Sequence, residues 1–161
     1  IRKAFIESGV PIGNIPSALL MLASFHHNRS IDQVLSHDHG LINITDRYFL
    51  STLAYQGIVE TNGKFDVSLR HIDIIEKMAA LTSLPMPDIT FYLDVDENVA
   101  VERIKTGRSE PLTRFEQPEF LRLARKIYHM FPDRYFSIDA SQPAEVVKTQ
   151  VIDKLNEQFG I

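Results

Sequence analysis

Three short runs of β-branched and aromatic residues punctuate the chain, and each ends on an aspartate: Leu41-Ile42-Asn43-Ile44-Thr45-Asp46, Ile89-Thr90-Phe91-Tyr92-Leu93-Asp94 and Tyr135-Phe136-Ser137-Ile138-Asp139. Continuous apolar runs of this length read as buried parallel strands. Between them the period lengthens to that of a helix, over 18–35, over 69–81 with Leu69, Ile72, Ile75 and Ala79 on one face, and over 99–104. After Pro118, the residues Phe120, Leu123, Ala124, Ile127 and Phe131 recur at three and four until Pro132 stops them, which predicts an amphipathic helix. A last helix opens near Pro143, carries Val147, Val151, Leu155 and Phe159 in one stripe, and closes at Gly160. Strands alternating with helices predict an α/β fold with a parallel sheet flanked by helices in three layers. The segments 61–64 and 106–113 read as loops.

A chain of 161 residues, 44% of them hydrophobic and 24% charged, predicts one globular domain over 1–161. A net charge of −4 supplies no broad positive field for a nucleic-acid backbone, so an anion has to be gripped locally. Cysteine is absent, which removes disulfide and thiolate chemistry. No apolar run approaches the roughly 20 residues of a membrane helix, and a soluble, cytoplasmic protein is expected. Ile1, Phe5 and Ile6 read as the middle of a helical pattern, so a preceding N-terminal segment is expected as well.

In open parallel sheets, ligands bind beyond the carboxyl ends of the strands, where Asp46, Asp94 and Asp139 are expected. For Asp94 and Asp139, capping of the next helix is the simpler reading. Asp46 is different, because Arg47, Ser51 and Tyr55 follow at intervals of four, on one predicted helix face opposite Phe49, Leu53 and Ala54. A planar guanidinium at a sheet edge can hold two phosphate oxygens at once. The pattern predicts a phosphate-monoester site. His26, His27, His37 and His39 match no zinc-ligand spacing and are given no role.

The segment Asp46-Arg47-Tyr48-Phe49-Leu50-Ser51-Thr52-Leu53-Ala54-Tyr55-Gln56-Gly57 resembles the monophosphate-binding segment of thymidylate kinases. Pro87 to Val95 with Val101-Glu102-Arg103 is similar to that family's next strand and lid entrance. Arg114-Phe115-Glu116-Gln117 resembles the lid's end, and Ile138-Asp139-Ala140-Ser141-Gln142-Pro143 its last strand and adenine-side loop. The resemblance implies a P-loop kinase fold, incomplete at its N-terminus, that passes a phosphoryl group from ATP to dTMP with Mg²⁺ and forms a homodimer. It implies that Arg47 binds the dTMP phosphate and that Asp46 helps hold the magnesium shell through water. Ser51, Thr52 and Gln56 would border the nucleoside, and Tyr55 would exclude a 2′-hydroxyl. Arg103, Arg108, Arg114 and Glu116 would belong to a lid over about 103–117 that closes on ATP, with Ala140, Ser141 and Gln142 beside the adenine. Asp46, Arg47, Arg108 and Arg114 would carry the catalysis.

The phosphate-loop pattern G-x-x-x-x-G-K-[ST] occurs nowhere in these residues, so the chain alone is expected to be inactive. Counting back from Asp46, the family's thymine-contacting positions fall on Met21 and Phe25, where an arginine would be usual at the second. Phe25 can stack on a base but cannot donate to its O4. Thr113 stands where the family often has aspartate. Two other readings compete: a deoxynucleoside kinase of the same superfamily and a noncatalytic nucleotide-binding module.

Overall fold

A computed structural model describes residues 12–35 and 43–160 of the chain, which belong to two compact units, Ile1–Met86 and Pro87–Ile161. In the first, helix α1 (Asn14–Leu35) is followed by α2 (Phe49–Gln56), a hairpin of β1 (Ile58–Thr61) and β2 (Lys64–Val67), and α3 (Leu69–Leu81). Its core joins Ala18 and Leu22 of α1, Phe49, Leu53 and Ala54 of α2, Ile58 of β1, and Ile72, Ile75 and Ala79 of α3. The side-chain amide of Asn14 donates to the carbonyls of Gln56 at 3.1 Å and Ile58 at 2.5 Å, fastening the start of α1 to the end of α2. Ser68 caps α3, its hydroxyl accepting from the His71 N–H. Leu69, assigned to the apolar stripe from its spacing, is instead 65% exposed, because it lies in the first turn, clear of the packed face.

The hairpin was not anticipated. Residues 61–64 read as a plain loop, yet Asn62 and Gly63 both take positive φ, 53° and 75°, and turn the chain directly back on itself. Asn-Gly favours this two-residue turn, whose twist matches that of the flanking strands. A second correction concerns the predicted strand over 41–46. Leu41 and Ile42 lie outside the described residues, as do Ile1, Phe5, Ile6, His37 and His39, whereas 43–46 is irregular, with Ile44 89% exposed. A strand persists through its ladder partners, and among the described residues none pairs with this segment.

The second unit holds β3 (Phe91–Asp94), α4 (Glu97–Gly107), a 3₁₀ turn Arg114–Glu116, α5 (Pro118–Tyr128), a 3₁₀ turn Pro132–Arg134, β4 (Phe136–Asp139) and α6 (Ala144–Phe159). β3 and β4 pair in parallel, with Phe91 opposite Phe136 and Asp94 opposite Asp139. The expected stripe of α5 is buried at Phe120, Leu123, Ala124 and Ile127; α5 packs on α4, and Val101 and Ile138 are buried in the same unit. α6 packs on β4. Val147, Val151 and Leu155 of its stripe are partly covered, Phe159 remains 45% exposed, and Gly160 ends the helix in the left-handed conformation. The fold is thus α/β, with one parallel pair and one antiparallel hairpin among the described residues. No described helix is long and apolar enough to cross a membrane.

Phe120 has no exposed surface and meets Phe115 edge to face at 5.3 Å. Phe120→Ala should lower unfolding stability by about 3–5 kcal/mol, measured by urea denaturation. A loss below about 1 kcal/mol would show that α5 does not anchor its unit.

Candidate functional site

The first group of polar side chains surrounds the start of α2. Arg47 was placed on the helix by its spacing, but α2 begins at Phe49, and Arg47 stands before it with φ of 68°. Left-handed backbone is uncommon for a residue with a long side chain and marks a specific demand on the chain's direction. Tyr48 holds the helix N-cap, its carbonyl accepting from the N–H groups of Ser51 at 3.0 Å and Thr52 at 3.2 Å. The side-chain proximity that the spacing predicted survives by another route: the Arg47 guanidinium lies 4.7 Å from the Tyr55 ring centre, in cation–π range.

Tyr48 also fixes this region from below. Its hydroxyl donates to the Pro85 carbonyl at 2.8 Å, and its ring lies 4.4 Å from that of Phe25. Phe25 is half-buried, and Met21, one turn earlier on α1, is 39% exposed. Ser51, Tyr55 and Gln56 are half-buried, while Thr52 is only 3% exposed and belongs to the interior. Asp46 is exposed. A single exposed carboxylate suits Mg²⁺, which keeps most of its waters and takes few protein ligands. Among the described residues no group of three or more potential ligands offers a dedicated metal cage.

The second group lies in the other unit, past the carboxyl ends of β3 and β4. Arg103 of α4 donates through Nη1 to the Ala140 carbonyl at 2.6 Å and through Nη2 to the Ser141 carbonyl at 3.0 Å. Asp139 accepts from the Ser141 N–H at 2.9 Å and from the Gln142 amide at 3.1 Å, and hydrogen bonding from the Ser141 side chain first, then from these two groups, holds its carboxyl below the usual range. The loop 140–142 is therefore secured from both sides. Neither Asp94 nor Asp139 caps a helix as its position suggested, because Asp94 is engaged by Arg125 of α5 and Asp139 by Ser141 and Gln142. The cap of α4 is Asp96, accepting from the Asn98 N–H at 2.9 Å.

Arg108, at the end of α4, pairs with Glu116 at 2.5 Å across the segment expected to be a lid. The Glu116 carboxylate also accepts from the Thr113 N–H at 2.7 Å, and these bonds, Thr113 first, keep it charged to lower pH than an ordinary glutamate. Arg114 is exposed, its guanidinium 5.9 Å from the Phe115 ring centre.

Sequence reasoning missed a further cluster. Arg125 of α5 donates to both oxygens of Asp94, from Nε at 2.7 Å and Nη2 at 3.2 Å, and its Nη1 lies 3.9 Å from Asp96. His129 Nε2 approaches Asp94 at 3.3 Å. The Tyr92 ring stacks on Tyr128 at 4.4 Å, and burial first, then the Asp94 charge, push its hydroxyl pKa far above the normal value. Arg125 is 31 residues from Asp94, and nothing local in the sequence signals that pairing.

A parallel strand pair with helices and arginines beyond its carboxyl ends places the chain among α/β proteins, in which ligand sites lie past the strand ends. The sequence profile described as Thymidylate kinase matches residues 8–151, and the chain belongs to the thymidylate kinase family. It is 37% identical over 139 residues to a probable thymidylate kinase of Halorubrum lacusprofundi, covering 84% of this chain and 66% of that protein. It is 35% identical over 151 residues to the thymidylate kinase of Lactobacillus helveticus, covering 88% and 66%. The alignment with the thymidylate kinase of Chlorobium limicola, 29% identical over 180 residues, takes in 100% of this chain and 76% of that one. The chain thus spans just under two thirds of the length of the first two relatives.

The Arg125 fork, more than any other contact, holds the Asp94 carboxyl below its ordinary pKa. A depressed carboxylate contributes stability that is complete above its unfolded pKa, about 3.9, and lost as pH falls through the folded value. Below about pH 4 the wild type should therefore lose stability more steeply than Asp94→Asn, which has no such proton to gain. Circular dichroism during acid titration checks this; parallel acid limbs would mean that the pair contributes nothing to folding.

Proposed function

We propose that the protein expressed from its complete reading frame is a thymidylate kinase, transferring a phosphoryl group from ATP to dTMP. The observation that carries this reading is the Arg47 guanidinium over the Tyr55 ring at the head of α2, in the segment whose residues match the family's acceptor side. The names of the relatives favour it over a deoxynucleoside kinase or a noncatalytic module. The family match runs through both compact units, which supports reading 1–161 as part of one domain with a three-layer parallel sheet. A homodimer and a cytoplasmic location belong to the same proposal.

In this reading Arg47 grips the acceptor phosphate, its direction set by the left-handed turn before α2 and its flat face covered by Tyr55. Tyr55 fills the space beside the sugar, and Ser51 and Gln56 offer polar groups next to it; Thr52 supports them from within the core. Asp46 would hold Mg²⁺ through water, and the ion would supply positive charge that offsets the phosphates. Arg108 and Arg114 bring positive charge toward the donor phosphates; Glu116 holds Arg108 in place until then. Arg103, engaged by the carbonyls of Ala140 and Ser141, shapes the adenine side together with Gln142. Such groups raise the rate by positioning and charge, without covalent chemistry.

The full-length protein should release ADP from ATP in the presence of dTMP and Mg²⁺. Arg108→Ala and Arg114→Ala should each lower kcat on the order of tenfold or more with little change in KM for dTMP, since the charge they meet develops as the phosphoryl group moves. Unchanged kcat in both variants would leave the lid reading without support, and absence of dTMP-dependent turnover would sink the proposed activity itself.

Phe25 offers a face to a pyrimidine but no donor to its O4. Phe25→Arg should raise the kcat/KM preference for dTMP over dCMP by roughly tenfold, since only dTMP offers an acceptor there. If the wild type already rejects dCMP as firmly as the variant, another residue reads the base.

A further inference from the structure

The two helices that carry the lid segment meet at one arginine. α4 leaves the sheet through Asp94, Val95 and its N-cap Asp96, and runs to Arg108. The chain returns through the 3₁₀ turn Arg114–Glu116 into α5, and the packing of Phe115 on buried Phe120 secures that return. Near the far end of α5, Arg125 reaches back to the point of departure. It grips both oxygens of Asp94 and has Asp96 at 3.9 Å. His129 at 3.3 Å and the Tyr92 hydroxyl also meet the Asp94 carboxylate, so the carboxylate is held from several directions. The side chains of Arg125 and Asp94 are 33% and 21% exposed, covered enough for the pair to resist screening by solvent.

We propose that Arg125 is a positioning residue that fixes the two legs of the lid against each other at their base, so that the cations at 108 and 114 stand in reach of the donor phosphates. This rests on the lid role assigned above to Arg108 and Arg114. The upper tie between Arg108 and Glu116 is covered to much the same degree, at 36% and 22%, but it has to open when Arg108 turns to another anion. The lower tie touches neither lid cation and can stay closed throughout. With one tie releasable and the other fixed, the lid can move while its legs keep their spacing. A lysine at 125 would retain the charge but could not span both oxygens of Asp94 and also reach Asp96, because it lacks the planar fork.

The test uses the full-length protein with the shape-conserving variants Arg125→Lys and Asp94→Asn, alone and together. Each single variant should lower kcat on the order of ten- to a hundredfold, the scale of an ångström-sized misplacement, while KM for dTMP changes by less than about twofold. The double variant should lose little more than either single one, since both break the same tie. Hydrogen exchange gives a readout independent of turnover: amides of 108–117 should exchange about tenfold faster in Arg125→Lys, while those of α6 stay unchanged. Wild-type kcat and unchanged lid exchange in folded Arg125→Lys would overturn the proposal. So would additive losses in the double variant, or failure of both single variants to fold, which would make the pair a folding element. A wild type that does not turn over dTMP would refute the phosphotransfer reading, and the exchange comparison would still decide whether Arg125 holds the lid's legs.

Discussion

Parallel pairing of β3 with β4 sets Asp94 beside Asp139 at one edge of the strand pair, and the polar organisation of residues 87–160 follows from that register. Two carboxylates side by side repel unless each finds its own compensation. Asp94 finds it in the Arg125 fork and Asp139 in the Ser141 N–H and the Gln142 amide. Each solution immobilises a segment beyond the strand end, α5 in one case and the loop 140–142 in the other. A slip of one residue would turn Asp94 to the opposite face and remove the bond that joins α4 to α5.

Arginine carries most of this architecture because it can satisfy two acceptors at once without losing its charge. Arg103 takes two carbonyls, Arg125 takes both oxygens of one carboxylate, and Arg108 takes Glu116. The first two hold parts of the unit in place. The third joins two ends of an exposed segment. The residues proposed to move with the reaction are thus carried by residues with fixed partners.

At the head of α2 the governing feature is direction. A left-handed Arg47 keeps its side chain off the helix and still returns the guanidinium to the Tyr55 ring. Tyr48 anchors the same turn through Pro85 and Phe25. In the proposed reading, the acceptor phosphate meets a cation whose orientation is set before the substrate arrives, which lowers the ordering cost of binding.

From the sequence alone, the periodicity located α5 and its buried stripe, the strands β3 and β4, and the C-terminal stop at Gly160, because burial on one face imposes a period that local reading detects. The motif beginning at Asp46 pointed to the family, since its residues are contiguous and lie within one helix and its entrance. The hairpin's turn is legible too, in Asn62-Gly63. Tertiary structure alone decided the partners of Asp94, Asp139, Arg103 and Arg125, and the departure of Arg47 from the helix. Those pairings span up to 38 residues, and a charged side chain's partner depends on which elements fold against it, which no local pattern records.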